Sequence, residues 1–163
     1  MNFNEELQEK VTREIENFHD FFVAWFTGAA KPEDLQTIFI PRISNDMVFI
    51  GPDGNQISGA ELTGGFKKAH GSNSNFRICI RDVRVLHVSA DHVLALYTEW
   101  QTGAVNSSPP NSGGSSRSSS RNYTGRVSTA LLTRTEPFRW LHVQETWLPE
   151  DVQASGNYSF AKD

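Results

Sequence analysis

Residues 140–147 read "WLHVQETW", and this stretch predicts the closing strand of a sheet. Side chains of a strand alternate between its two faces, so Leu141, Val143, Glu145 and Trp147 share one face. That set is apolar except for Glu145, and we expect it to face the interior. A carboxylate there needs either a charged partner or a cavity that can admit a ligand.

Three helices are predicted upstream of the long strands. From Glu5 to Gly28 the apolar residues recur every three or four positions, which indicates a long amphipathic helix that stops at Gly28. "KPEDLQTIF" has a proline and two acids at a helix start and predicts a short second helix. "SGAELTGGFKKAHG" predicts a third, with Ser58 as its cap.

Strands dominate the rest of the chain. "DMVFIGPDG" reads as a short strand that ends in a turn. Four long strands are predicted, the first and last pairs joined by the short turns "SAD" and "TEP". Helices first and a strand meander last indicate an α+β fold with helices packed on one face of an antiparallel sheet. The four segments are "NFRICIRDVRVLHV", "HVLALYTEWQTGAV", "YTGRVSTALLTRT" and "FRWLHVQETWLP".

The chain length predicts a single domain over 1–163. Within it, 106–122 reads "NSSPPNSGGSSRSSSRN" and has no hydrophobic residue that could offset the entropy of ordering it. We expect a flexible Ser/Gly-rich hairpin insert. Because serines alternate with Arg117 and Arg121, a phosphorylated or partner-binding loop is the alternative.

Composition argues against several classes of function. The net charge of -4 gives no basic surface for nucleic acid. No apolar run approaches the roughly 20 residues that span a bilayer, and the acidic N-terminus has no secretory pattern, so we expect no membrane partner and a cytoplasmic protein. Histidines lack metal-ligand spacing, Cys79 is the only cysteine, and phosphate-binding glycine motifs are missing. We therefore expect no metal and no cofactor.

Three segments together resemble the nuclear transport factor 2-like superfamily: "FHDFFVAWFTG", "DMVFIGPDGNQISGAEL" and "FRWLHVQETWLP". The resemblance implies a cone-shaped, curved antiparallel sheet wrapped around the long N-terminal helix, with a pocket at its open end. Within the superfamily, "VRVLHVSADHVLALYTEWQT" is most similar to SnoaL-like proteins and to the association domains of calmodulin-dependent kinases. Where those association domains place arginines toward the cavity, the matching positions here are Glu99 and Trp147, which argues against an anion pocket of their kind.

Carried onto the neighbouring strands, the alternation predicts the rest of the inner face. Glu99 and Glu145 would then lie on two strands that flank a common neighbour, about 9–10 Å apart. That spacing leaves room for a ligand between an acid and a base. The predicted inner residues are Val93, Ala95, Tyr97 and Glu99 in "HVLALYTEWQTGAV" and Val127, Thr129 and Leu131 in "YTGRVSTALLTRT". The predicted pocket consists of Glu99 and Glu145 together with Phe22, Trp25, Tyr97, Thr129 and Trp147.

Two functions follow from this pattern. The first is a protein that binds a hydrophobic or hydroxylated small molecule, and the resemblance implies an isomerase, cyclase or dehydratase of the SnoaL-like kind. The second is a non-catalytic association module. Whether the protein is an enzyme stays open, because one fold hosts many functions.

Structural roles compete with these functional ones. Glu145 could simply pair with Arg126 or Arg134, or accept a bond from the Trp25 indole. His19 lies one residue off the apolar stripe and is predicted on the flank of the helix. The outward set of the last strand, Trp140, His142, Gln144 and Thr146, carries no charge and predicts a homodimer interface, with a larger ring as the alternative.

Overall fold

The computed structural model describes residues 3–103 and 123–154. It has the predicted α+β fold, with a long N-terminal helix, a six-stranded sheet and further short helices. The insert predicted at 106–122 lies outside the described residues. In chain order the elements are α1 (Phe3–Thr27), a π-helix (Leu35–Phe39), β1 (Ile43–Ile50), β2 (Gln56–Ser58), α2 (Gly59–Lys68), β3 (Arg77–Val88), β4 (His92–Thr102), β5 (Tyr123–Thr133), β6 (Trp140–Trp147) and α3 (Glu150–Ala154).

Helix α1 follows its apolar spacing. Val11, Ile15, Phe18 and Trp25 are all buried, on the stripe that the three- and four-residue intervals predict. The helix ends before Gly28, whose φ of 81° requires a backbone that glycine adopts without strain. The stop predicted at this glycine is confirmed.

Polar contacts hold α1 against the sheet and cap the start of α2. The Gln8 amide on α1 donates to the carbonyl of Val83 (2.9 Å) and accepts from the amide of Val85 (2.8 Å) on β3. At α2, the Ser58 hydroxyl accepts from the amide of Glu61, and the Glu61 carboxylate accepts from the amide of Ser58. Ser58 is therefore the cap that the sequence predicts, in a reciprocal capping box.

The sheet has the strand order β2-β1-β6-β5-β4-β3. Neighbouring strands run antiparallel, except that β1 and β6 run parallel, so the sheet is mixed rather than wholly antiparallel. Parallel pairing needs a long connection, and here α2 and the β3–β5 meander supply it. Strands β4 and β6 flank β5, as the predicted spacing of the two glutamates requires.

One correction concerns Trp140. In the ladder of β5 and β6, Leu131 pairs with His142 but Leu132 pairs with Trp140, so Leu141 is an extra, bulged residue. A bulge reverses the alternation on one side of it. Trp140 is consequently 2% exposed and belongs to the core, and its prediction on the outward face is wrong.

A second correction concerns the register of β5. Its buried residues are Arg126, Ser128, Ala130 and Leu132, whereas the prediction had turned Val127, Thr129 and Leu131 inward. A shift by one residue exchanges the two faces of a strand. The predicted inner residues Val93, Ala95, Tyr97 and Glu99 are buried on β4, and beyond the bulge Val143 and Glu145 are buried on β6.

The longest helix that the structure describes, α1, is not apolar enough to cross a membrane, and neither is any other helix in residues 3–103 and 123–154. Over the same residues, no group of three or more His, Cys, Asp or Glu side chains is placed to hold a metal ion.

Candidate functional site

A cavity of about 590 Å³ lies between the helices and the inner face of the sheet. Its volume is within the range of small-molecule sites. Most of its wall is apolar and rich in aromatic rings, and its polar groups come chiefly from α1, β4, β5 and β6. The aromatic residues are Phe18, Phe22, Phe26, Phe49, Phe66, Phe76, Tyr97 and Trp140, and the polar ones are His19, Ser72, Asn73, Glu99, Gln101, Arg126 and Glu145.

Four of the predicted site residues line this cavity: Phe22, Tyr97, Glu99 and Glu145. Both glutamates are buried, at 3% and 8% exposure. The sheet brings them together as the alternation predicts, because their side chains point to the same face of strands that flank β5.

Three predicted residues do not line the cavity. The Trp25 indole donates to the backbone carbonyl of Phe66 (2.7 Å) and is part of the core. Thr129 lies on the outer face of the sheet because of the register of β5. The Trp147 ring packs against Arg126 instead, with 4.7 Å between the guanidinium carbon and the ring centroid.

Glu145 forms an ion pair with Arg126. Nη1 of Arg126 donates to Oε2 of Glu145 over 2.9 Å, and both side chains are almost fully buried. This is one of the structural partners that the sequence leaves open. The other two are not used, since Arg134 donates to the carbonyls of Ser89 and Ala90 and the Trp25 indole to that of Phe66.

Glu99 has a different cation beside it. Nε2 of His19 lies 3.4 Å from Oε2 of Glu99, and Nδ1 of His19 lies 2.7 Å from the carbonyl oxygen of Ile15. Both ring nitrogens thus face oxygen acceptors, which suits an imidazolium, the form in which both nitrogens carry a proton. His19 is 5% exposed, so its predicted place on the helix flank is wrong.

Gln101 joins the two ion pairs. Its amide nitrogen donates to Oε1 of Glu99 (2.6 Å), and its amide oxygen accepts from Nη2 of Arg126 (3.0 Å). His19, Glu99, Gln101, Arg126 and Glu145 therefore form one continuous chain of ion pairs and hydrogen bonds, which we call the charged cluster. Such a chain holds its members in a fixed orientation at the wall of the cavity.

Burial and mutual charge set the protonation of this cluster. Burial opposes the charge on His19, but the Glu99 carboxylate outweighs it and raises the pKa of His19. Burial also opposes ionisation of Glu99, yet His19 and Arg126 lower the pKa of Glu99 to about 2. For Glu145, burial and the nearby Glu99 charge prevail over Arg126 and raise its pKa to about 7.

These environments separate the roles of the two carboxyl groups. Glu99 stays ionised, and both of its oxygens are engaged, one by His19 and one by Gln101. Glu145 can exchange a proton near neutral pH, as a general acid or base must. Beside them, burial and the two carboxylates raise the pKa of Tyr97 well above its ordinary value, so its hydroxyl remains a donor.

His19, Gln101 and Arg126 are the members of the charged cluster that the site prediction lacks. His19 is four residues after Ile15 and three before Phe22, a spacing that already assigns it to the buried stripe. Gln101 follows Glu99 by two positions and so shares its face. Arg126 carries no comparable signal, because it is visible only once the register of β5 is known.

No protein-family model matches the sequence, and no curated protein matches it. Solved structures do match, and together they show that this chain has the nuclear transport factor 2-like fold. An NTF-2 like protein of unknown function from Pseudomonas aeruginosa is 23% identical, with a TM-score of 0.69 over 85% of this chain and 98% of that one. A nuclear transport factor 2-like superfamily protein from Salmonella enterica is 14% identical, with a TM-score of 0.59 over 90% and 94% of the two chains.

The association domain of C. elegans CaMKII also has this fold. It is 12% identical to the present chain, with a TM-score of 0.60 over 88% of this chain and 97% of that one. The predicted resemblance in fold is thereby confirmed.

Proposed function

We propose that the protein binds an apolar small molecule with a hydroxyl or carbonyl group in this cavity, and that Glu145 meets the polar end of the ligand. The observation that carries the proposal is the position of Glu145. Its carboxyl group is buried in the wall of an aromatic cavity, and only Oε2 has a hydrogen-bond partner among the described residues. The free oxygen, Oε1, can donate or accept according to protonation.

The chemistry that this arrangement supports is proton transfer, as in an isomerase, cyclase or dehydratase of the SnoaL-like kind. A pKa of about 7 lets Glu145 take a proton from a bound ligand or return one at neutral pH. Glu99 acts in this scheme through Gln101 and Arg126, which hold Glu145 in place, because its own oxygens are already engaged.

An assembly role is the second candidate, and the outer face of the sheet favours it. The half-buried residues Leu94, Leu96, Val127 and Leu131 form an apolar area there, on the side of the sheet away from α1. We propose that this area joins two copies of the chain, with a larger ring as the alternative. Assembly alone would not need an aromatic cavity with a charged cluster, so we place ligand binding first.

For the chain as a whole, we propose that residues 1–163 form one domain and that the protein functions in the cytoplasm.

Binding can be tested by thermal shift and native mass spectrometry with apolar ketones, phenols and small carboxylates. We expect at least one ketone or phenol to raise the melting temperature of the wild type and to raise that of Glu145→Gln less. Gln keeps the shape of Glu but cannot exchange a proton. If no compound binds and Glu145→Gln is merely less stable, Glu145 is structural and the assembly role is the better description.

A further inference from the structure

The proposed function does not specify the charge of the ligand. The charged cluster restricts which charge a ligand can carry. We infer that the cavity selects uncharged aromatic ligands with a single hydrogen-bonding oxygen and rejects carboxylate and ammonium analogues of the same shape. This inference rests on the proposed function, because it concerns the same cavity.

The charges within the cluster balance one another. His19 faces two oxygen acceptors, which suits its protonated form, and it lies 3.4 Å from Glu99. Arg126 lies 2.9 Å from Glu145. Two cations are therefore matched by two carboxylates, and each charge has its own partner. A ligand that brings a further charge finds no unpaired opposite charge within the cluster.

The hydrogen-bonding atoms of the cluster are mostly engaged within it. A carboxylate is usually captured by two parallel N–H groups of an arginine. In Arg126, however, one N–H of Nη1 donates to Glu145, Nη2 donates to Gln101 and Thr124, and Nε is buried, so no two parallel N–H groups are left for a carboxylate. An ammonium group would need free carboxylate oxygens, and both oxygens of Glu99 are taken.

At the Glu145 end of the cluster, the groups left for a ligand match one neutral oxygen. Oε1 of Glu145 is without a partner among the described residues, and the Tyr97 hydroxyl is in the wall of the same cavity. Tyr97 and Glu145 lie in one row across the sheet, since Ser128 pairs with both of them. A hydroxyl or carbonyl group can bond at this row, and the rest of the ligand then contacts aromatic rings, which solvate a charge poorly.

Three probes with the same rings test the inference: 2-naphthol, 2-naphthoate and 2-naphthylmethylammonium, titrated calorimetrically at pH 7.5. We expect 2-naphthol to bind about tenfold more tightly than either charged probe, because a buried charge without a partner is costly. Comparable or tighter binding of a charged probe would overturn the inference and leave the proposed function standing. Failure of all three probes to bind would overturn both.

Two variants change the charge balance in opposite directions. Glu145→Gln removes one negative charge and leaves Arg126 unpaired, so the preference for 2-naphthol over 2-naphthoate should shrink by about tenfold. Arg126→Met does the opposite and should improve binding of the ammonium probe. An unchanged ratio in Glu145→Gln contradicts the inference. Thermal melts establish whether each variant is folded. If Arg126→Met is not folded, the ratio of the 2-naphthol and 2-naphthoate affinities in Glu145→Gln alone tests the inference.

Discussion

Glu145, His19 and Glu99 tie the stability of the fold to pH at the scale of single residues. The pKa of Glu145 is about 7 in the folded protein, above its ordinary 4.5. Its contribution to the free energy of unfolding is therefore present in full below pH 4.5 and is lost as the pH rises through 7. His19 has a raised pKa and acts in the same direction, with a contribution present below pH 6.5. Glu99 acts in the opposite direction, because its contribution is lost as the pH falls from 4.5 towards 2.

We therefore expect the free energy of unfolding to be highest near pH 4.5, to fall between about pH 4.5 and 7 as Glu145 loses its proton, and to fall further above about pH 6.5 as His19 does; below pH 4.5 it falls because Glu99 is protonated. Urea unfolding at intervals from pH 3 to 8 measures it. Glu145→Gln is the matched control, because it removes one titrating group and should flatten the loss of stability between pH 4.5 and 7. A stability that rises steadily across that interval would contradict the protonation of the cluster described above.

The sequence predicts Glu99 and Glu145 at the cavity but misses their partner Arg126, and the reason is physical. On β5 the inner residues Arg126 and Ser128 are polar, while the outer residues Val127 and Leu131 are apolar. Inner positions are polar here because they face the charged cluster. A rule that assigns apolar residues to the interior therefore gives the wrong register where the interior is a site.

Among the elements, α2 contains two glycines, Gly59 and Gly64, with different roles. At Gly59 the absence of a side chain matters for packing, whereas at Gly64 only helix propensity is affected. A Cβ built on Gly59 would lie 1.9 Å from the backbone oxygen of Ser44 on β1, whereas a Cβ on Gly64 would meet nothing within 4 Å. The start of α2 can rest against β1 only because residue 59 has no side chain.

Gly59→Ala should therefore destabilise the protein by about 1–3 kcal/mol or more, because a backbone atom must move. Gly64→Ala in the same helix should stabilise it by about 0.5–1 kcal/mol, because alanine favours a helix interior. Chemical denaturation of both variants measures the difference. Equal effects of the two substitutions would mean that α2 does not approach β1 this closely.

Helix α1 and the long strands β3 to β6 could be predicted because their patterns are long and periodic. The parallel pairing of β1 with β6 could not, since only Ile43 and Met47 of β1 are fully buried and its partner strand lies far along the chain. The bulge at Leu141 was equally hidden, because a single extra residue leaves no mark on an alternating pattern until the partner strand is known.

For the whole molecule, the outer face of the sheet yields a prediction about assembly. Thr129 lies at the centre of this face, between Leu96 on β4 and Gln144 on β6. If two copies meet there, Thr129→Arg places two like charges at the contact and should convert a dimer into a monomer.

Light scattering after size exclusion measures the mass of each variant. Glu16→Arg, on the exposed side of α1, adds an arginine away from this face and should leave the assembly unchanged. A wild type that is a monomer, or a Thr129→Arg variant that stays a dimer, would exclude this face as the interface.

The parallel pairing of β1 with β6 also governs when the cavity comes into existence. Phe49 on β1 and Val143 on β6 are paired and both line it, so two distant parts of the chain must meet before its wall is complete. Contacts between residues so far apart in sequence form slowly, because a long loop has to close first. During synthesis, the cavity cannot be completed before β6 has left the ribosome. Until then, the aromatic residues of α1 and β1 cannot be buried against β6.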